Sequence, residues 1–512
     1  MVMEPQPALQ VIILGSGGGP QESNTTAFLV RSVSQNWSRG SIVAVDAGVH
    51  LSAITRLIEE ATPSPRPSPP YTLTSGPFAG LSLPCASPAA NASYITRTLV
   101  DTYLITHPHL DHISGFVINT AGLPGTRPKK LASLPSTIQA FKTHIFNNVI
   151  WPNLSDENNG AGLLTYLRLV EGGSPALGDG SGKGYLEICD GLLVKVWSVS
   201  HGHCIEKHSH RGSTSGASPR YGSHDGPMHS HPYRQSYSYS MPQPFARTQS
   251  ILSQANFVGT STGSASPQTT DHQEKVCVYD SSAYFIQDQT LTREVLIFGD
   301  VEPDSISLSP RNQLIWQEAA PKIVAGKLAA IFIECSYEDA QCNDRLFGHL
   351  KPVFVIEELC ALAAEVDSVR AALSVESKKR KRTSIAHEAP RPNPASHPPS
   401  PEDPISPKTV YKSSPLVAHI PPPFAEEQPE TPHLVTPTEE MSVHEDEGAP
   451  PPRRGIQRPL EGLKVVIIHV KEKLTDEPEV GGTILEQLLA HEEQAQLGCE
   501  FVISKSGQSF YF

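Results

Sequence analysis

Thr106-His107-Pro108-His109-Leu110-Asp111-His112 follows a largely apolar run, Leu99 to Ile105, of the kind that forms a buried strand. Ile113 to Thr120 then shows helical spacing, with Gly115 as its one breaker. The motif therefore occupies a strand-to-helix turn. His107 and His109 alternate along the extended end and point the same way, while Asp111 and His112 enter the helix and reach a second point nearby. Three imidazoles and a carboxylate within six residues repel one another when protonated and gain little from burial when neutral. A divalent ion resolves that conflict, because imidazole and carboxylate suit zinc and similar metals. The stretch predicts a hydrolytic site built for two metals.

Outward from this motif, other apolar runs end on groups of the same chemical type. Ile42 to Val45 ends in Asp46-Ala47-Gly48, and Leu192 to Val199 ends in Ser200-His201-Gly202-His203. Glu294 to Phe298 leads to Gly299-Asp300, Leu328 to Ile333 to Glu334, and Leu463 to Ile468 to His469; Gly348-His349 follows Glu334 by fifteen residues. Residues so far apart converge only if their strands end on one edge of a sheet system. His107, His109 and His201 would then hold one metal and Asp111, His112 and His469 the other. Asp300 would bridge the two, with Asp46 as a further strand-end candidate; His203 reads as a surface histidine. Two such ions lower the pKa of a shared water and neutralise charge that builds on a phosphoryl group. Asp111, Asp300, His349 and Glu334 are the candidate catalytic residues. Glu334 is expected to orient His349, which would donate a proton to the leaving group.

Between these points, Val11 to Leu14 and Thr26 to Val30 read as strands around the permissive loop Gly15-Ser16-Gly17-Gly18-Gly19-Pro20. His50 to Glu60, Ser136 to Val149, Leu163 to Val170 and Val353 to about Val375 have helical spacing, as does Arg311 to Lys327 with a break expected at Pro321. Val276 to Ile286 reads as a strand, Ile484 to Ala495 as a helix and Phe501 to Ser504 as a last strand.

The motif HxHxDH, with a later strand-end His, a strand-end Asp and a last His, resembles the metallo-β-lactamase fold. That resemblance implies an α/β class chain, an αβ/βα four-layer sandwich of two mixed sheets. His107-Pro108-His109-Leu110-Asp111-His112-Ile113-Ser114-Gly115 further resembles the signature of the class II, low-affinity 3′,5′-cyclic-nucleotide phosphodiesterases. So do Ile13-Leu14-Gly15-Ser16-Gly17-Gly18-Gly19-Pro20, Phe298-Gly299-Asp300-Val301-Glu302 and Phe347-Gly348-His349-Leu350. The resemblance covers about residues 10–360 and 460–512. It implies hydrolysis of cAMP, and of cGMP, to the 5′-nucleotide with two divalent ions, zinc by ligand type, and a homodimer. A tRNA 3′-end-type endonuclease of the same superfamily is the alternative, and it would want a basic arm that the ordered parts lack.

Composition bounds the rest. Of 512 residues 47 are Pro, and the formal charge of −13 argues against general affinity for nucleic acid. One metallo-hydrolase domain over 8–375 and 460–512 is expected, broken by a Pro/Ser-rich surface insertion at 61–92 and disordered insertions at 205–272 and 376–459. His208, His210, His224, His229 and His231 fall in the second of these and read as loop, not ligands. No secretory leader or membrane-spanning run is visible, and the eight Cys lack close pairing, so a cytoplasmic protein is expected. Lys378-Lys379-Arg380-Lys381-Arg382 suits nuclear import, and it leads to Thr383-Ser384, where a basophilic kinase would phosphorylate Ser384.

Overall fold

The computed structural model describes residues 6–122, 127–206, 275–290, 292–385, 458–476 and 479–512. The first half runs β1 (Leu9–Gly15), β2 (Ala27–Ser32), β3 (Ile42–Ala47), α1 (Leu51–Ala61), β4 (Tyr71–Thr72), β5 (Ser82–Leu83), α2 (Pro88–Tyr94), β6 (Val100–Leu104), α3 (Leu110–Gly122), β7 (Lys129–Ser133), α4 (Pro135–Ala140) and β8 (Leu164–Arg168). The second runs β9 (Leu186–Cys189), β10 (Leu192–Glu206), β11 (Lys275–Asp288), β12 (Glu294–Phe298), α5 (Asn312–Val324), β13 (Leu328–Glu334), α6 (Pro352–Ile385), β14 (Lys464–Ile468), α7 (Val480–Ala495), β15 (Glu500–Ile503) and β16 (Ser509–Tyr511).

Two seven-stranded sheets result, in the orders β16-β1-β2-β3-β6-β7-β8 and β15-β14-β13-β12-β11-β10-β9. Each is mixed. β1, β2 and β3 pair antiparallel and β3, β6, β7 and β8 parallel; β9 to β12 pair antiparallel and β12 to β15 parallel. Strand alternation explains the layering. On β3, Val43 and Val45 face the opposing sheet and pack with Ile286, Ile297 and Phe332, while Ile42 and Ala44 face α1 and α3. The second sheet does the same, with Ile331 and Ile333 turned toward Trp316 and Leu359 on its helices. Apolar on both faces, each sheet must be covered twice, and an αβ/βα four-layer sandwich follows. This is the metallo-β-lactamase-type α/β fold expected from the sequence.

Four expectations need correction. Leu163 to Val170 is not helix: β8 occupies it, because Leu164 and Tyr166 are buried at a period of two while Thr165 is half exposed. Pro321 does not break α5, which continues to Val324; the residue lies in the last turn, so only three helical residues follow the bond that its missing N–H removes. The segment 61–92 is not a surface insertion, since Tyr71, Leu73, Phe78, Leu81 and Leu83 are buried in the core beneath α1 and α2. Its Pro and Ser content marks turns, not exposure. Finally, α6 extends ten residues beyond 375 to Ile385, on strong helix formers such as Glu, Lys and Arg. The backbone from Lys378 to Ser384 is thus helical, against the disordered start expected for 376–459. The stretches 207–274 and 386–457 lie outside the described residues, as does most of the insertion expected over 205–272. No helix among the described residues is long and apolar enough to cross a membrane.

Candidate metal centre

β6 delivers the motif to the sheet edge, and α3 begins at Leu110, three residues earlier than its apolar spacing suggests. Ile113 and Phe116 anchor that helix in the core; loss of a buried Phe ring typically costs about 3–5 kcal/mol. Gly115 N–H ties the helix to the Gly48 carbonyl at 2.8 Å, and the first turn is held by His112 N–H to the His109 carbonyl at 3.0 Å. Asp111 sits in that turn, where the helix dipole favours its charge.

His107, His109, His201 and Asp300 place their donor atoms in one group, and Asp111, His112, Asp300 and His469 in a second. Asp300 belongs to both. Its Oδ2 lies 3.5 Å from His107 Nε2, 3.5 Å from His201 Nε2 and 3.3 Å from His469 Nε2, and its Oδ1 3.2 Å from His112 Nε2. His109 Nδ1 is 3.3 Å from His201 Nε2, and Asp111 Oδ2 is 3.7 Å from His469 Nε2. Gly299 permits this approach: a Cβ there would lie 2.4 Å from Thr106 Cβ. A bulge between Ser200 and His203 on β10 turns His201 inward, and His203 is left exposed.

Hydrogen bonds behind the rings fix their tautomers. His112 Nδ1–H donates to Asp46 Oδ2 at 2.7 Å, and His201 Nδ1–H to the Gly348 carbonyl at 2.9 Å. The Thr106 hydroxyl donates to Asp46, so it accepts from His107 Nδ1–H at 3.0 Å. The Thr26 hydroxyl donates to the Gly17 carbonyl and accepts from His469 Nδ1–H at 2.7 Å. Each of these four rings therefore turns its Nε2 into the centre, and at His112 a metal ion would have to displace a proton from that atom. Asp46 is not a member of either donor group. Its oxygens accept from Thr106 N–H, the Thr106 hydroxyl and His112, so it supports the site from behind. Sequence reasoning missed this role for Asp46, and missed Thr26 and Thr106 altogether. Positive φ at Asp46 (52°) and His469 (58°) is strain of the kind that gathers at functional sites.

Burial lowers His107 and His469 well below the ordinary imidazole value, lowers His201, and brings His109 down to about 4. These rings are neutral donors at neutral pH. Burial works the same way on His112, but the Asp300 and Asp46 carboxylates outweigh it and hold the ring well above its usual value. Burial alone would raise Asp300; His112, His469 and His107 reverse that and keep it ionised.

The donor set fits a pair of divalent ions. His107 Nε2, His112 Nε2, His469 Nε2 and Asp300 Oδ1 are buried without a hydrogen-bond partner, a costly state unless something else uses their lone pairs. Donors spaced 3.2–3.9 Å apart are close to the edges of a coordination shell with bonds of about 2.0–2.2 Å.

Beside the centre, His349 Nδ1–H donates to Glu334 Oε1 at 2.8 Å. Glu334 is fully buried and also accepts from Val301 N–H at 2.9 Å and the Ser336 hydroxyl at 2.7 Å. Burial would lower His349, yet Glu334 and then Asp300 raise it above the usual imidazole value. All nine predicted site residues thus lie at one end of the two-sheet sandwich, with His107 to His112 following β6 of the first sheet and His201, Asp300, Glu334 and His469 at strand ends of the second.

The family model of the class-II cAMP phosphodiesterases matches residues 9–174, 228–377 and 454–507. A 3′,5′-cyclic-nucleotide phosphodiesterase of Schizosaccharomyces pombe is 26% identical over 361 residues, which cover 69% of this chain and 75% of the relative. One of Candida albicans is 26% identical over 397 residues, covering 70% and 83%. The crystal structure of unliganded yeast PDE1 superposes with a TM-score of 0.55 at 17% identity, over 99% of this chain and 100% of that one; it bears on the fold alone.

Proposed function

The chain belongs to the class-II cAMP phosphodiesterases and is a 3′,5′-cyclic-nucleotide phosphodiesterase, and from that premise we propose that it opens the cyclic phosphate of cAMP, and of cGMP, to the 5′-nucleotide with two divalent ions. The observation that carries the reading is the shared carboxylate: Asp300 faces both donor groups, and its own Oδ1 and three histidine Nε2 atoms around it are buried without hydrogen-bond partners. His107, His109 and His201 would hold one ion and Asp111, His112 and His469 the other, with Asp300 between them; the ligand types favour zinc. Such ions acidify water and offset the charge that builds on a phosphoryl group. The chain's own part is threefold. The rings of His107, His201 and His469 keep neutral Nε2 atoms turned inward, burial of His107, His112, His469 and Asp300 keeps bulk water from the donor atoms, and His349 holds a proton at Nε2 for the departing 3′-oxygen.

The test is release of 5′-AMP and 5′-GMP from the cyclic nucleotides by purified protein, with metal content measured on the same sample. Cleavage of a precursor tRNA in place of cyclic-nucleotide turnover would overturn the reading.

Two substitutions probe the metal assignment. His203→Ala should keep full metal content and activity, because His203 is exposed and His201 occupies the site; metal loss would move the ligand role to His203. Gly18→Ala should act on the second ion alone. A Cβ there would lie 2.6 Å from His469 Nε2, and the ring cannot retreat without giving up Thr26. Loss of about 10- to 100-fold in affinity for one ion, as when an outer partner of a metal ligand is removed, is expected in a metal titration. Unchanged affinity would show that the Gly18 loop does not set the ring's position.

A further inference from the structure

Apolar side chains stand in solvent beside the metal centre, where packing gives them no reason to be. Leu110, between His109 and Asp111, is 67% exposed, Tyr279 on β11 is 44% exposed, and Phe347 is 71% exposed. The Tyr279 ring lies 6.2 Å from that of His109, edge to face. Tyr279 falls between Val278 and Asp280, whose partners across the ladder are His203 and Ser200, so it sits opposite the bulge that carries His201. The Phe347–Gly348 main chain approaches the same bulge: a Cβ on Gly202 would lie 3.0 Å from Gly348 Cα and 3.6 Å from the Phe347 carbonyl carbon.

Phe347 is the more telling of the two. Its φ of 53° lies in the left-handed region, which glycine enters freely and residues with a β-carbon resist. A position that would relax as glycine, and would be better hydrated as a polar residue, nevertheless carries a benzyl group two residues before His349. Three such side chains around one corner of a polar site offer apolar surface for a flat ligand to cover.

We propose that Phe347, with Tyr279 across the same corner, is the stacking platform for the purine base of the substrate. The inference rests on the cyclic-nucleotide reading above and adds the recognition of the base to it. Phosphate held at the metal centre leaves the nucleoside to extend over the rim, and a purine presents a flat π face to whatever aromatic ring it meets there. Stacking is tolerant of base identity because every base has such a face. The platform therefore admits adenine and guanine alike and governs binding, while the bond-breaking groups lie beyond it.

The experiment uses the metal-loaded full chain with cAMP, cGMP and the abasic 1-O-methylribose 3′,5′-cyclic phosphate. Phe347→Ala should raise KM for both nucleotides by about 5- to 150-fold, the range that loss of one base–aromatic stack produces. It should leave kcat nearly unchanged, the mark of binding lost equally from ground and transition state, and leave kcat/KM on the abasic substrate unchanged. Phe347→Tyr should restore KM. Phe347→Gly should reproduce the Ala defect without lowering the melting temperature, since it releases the left-handed strain. Equal losses on abasic and nucleotide substrates would make Phe347 a support for His349 and overturn the platform, as would an unchanged KM. Wild-type protein inert toward all three substrates would instead overturn the underlying phosphodiesterase reading, so the two failures are separable.

Discussion

Asp300→Asn is expected to leave the fold intact and to reduce turnover of cyclic nucleotide by roughly 10³-fold or more, beyond the 10- to 100-fold that loss of an outer partner of a metal ligand costs. The carboxylate faces donors from five elements at once: His107 after β6, His112 on α3, His201 on β10, His469 after β14 and, at 3.9 Å, His349. An amide of the same shape keeps the packing but supplies no charge to either cation and turns N–H donors toward Nε2 lone pairs that need a Lewis acid. Both effects act together at one residue. Metal analysis of the variant should show one or both ions depleted, while circular dichroism and thermal melting report an intact fold. Full metal content with wild-type turnover would remove Asp300 from the centre. His469→Ala should deplete the second ion selectively, because the first donor group does not include it.

The donor atoms were legible in the sequence because metal chemistry is written in residue type. Few surface loops place His, His, Asp and His in one six-residue window, and a His or Asp directly after an apolar strand repeats that pattern. What supports the donors was not legible. Thr26 and His469 are 443 positions apart, and nothing about a Thr in an apolar strand announces that its hydroxyl will fix an imidazole. Asp46 showed the right residue type at the right strand end, yet its φ of 52° and its three hydrogen bonds turn it to the back of His112. Ligand and supporting carboxylate look alike until the backbone direction is known. The same limit applies to secondary structure. Leu163 to Val170 carries apolar residues at spacings that suit helix and strand equally, and the edge of the first sheet decides between them. In 61–92 the Pro and Ser content concealed five apolar side chains that α1 and α2 need for a core.

His349→Ala is expected to separate proton donation from phosphate binding. Opening the cyclic phosphate expels the 3′-oxygen as an alkoxide unless a proton or a cation meets it, and an alkoxide is a poor leaving group at neutral pH. Nδ1 of His349 is committed to Glu334 at 2.8 Å, and Glu334 is itself held by Val301 and Ser336, so Nε2 is the nitrogen left to act. Burial disfavours the imidazolium, but Glu334 and then Asp300 outweigh it and raise the pKa. The Glu334 carboxylate on Nδ1 thus favours the protonated ring, the form that a general acid needs. Loss of such an acid should lower kcat on cyclic nucleotide by about 10²–10⁴-fold. A p-nitrophenyl phosphodiester, whose phenolate leaves without protonation, should lose little. Glu334→Gln should show the same dependence on leaving group with a smaller loss, since the amide still orients the ring but no longer stabilises its charge. The competing role, a cation that grips the phosphate, makes no distinction between leaving groups. Equal losses on the two substrates would therefore assign His349 to phosphate binding and end its claim to the proton.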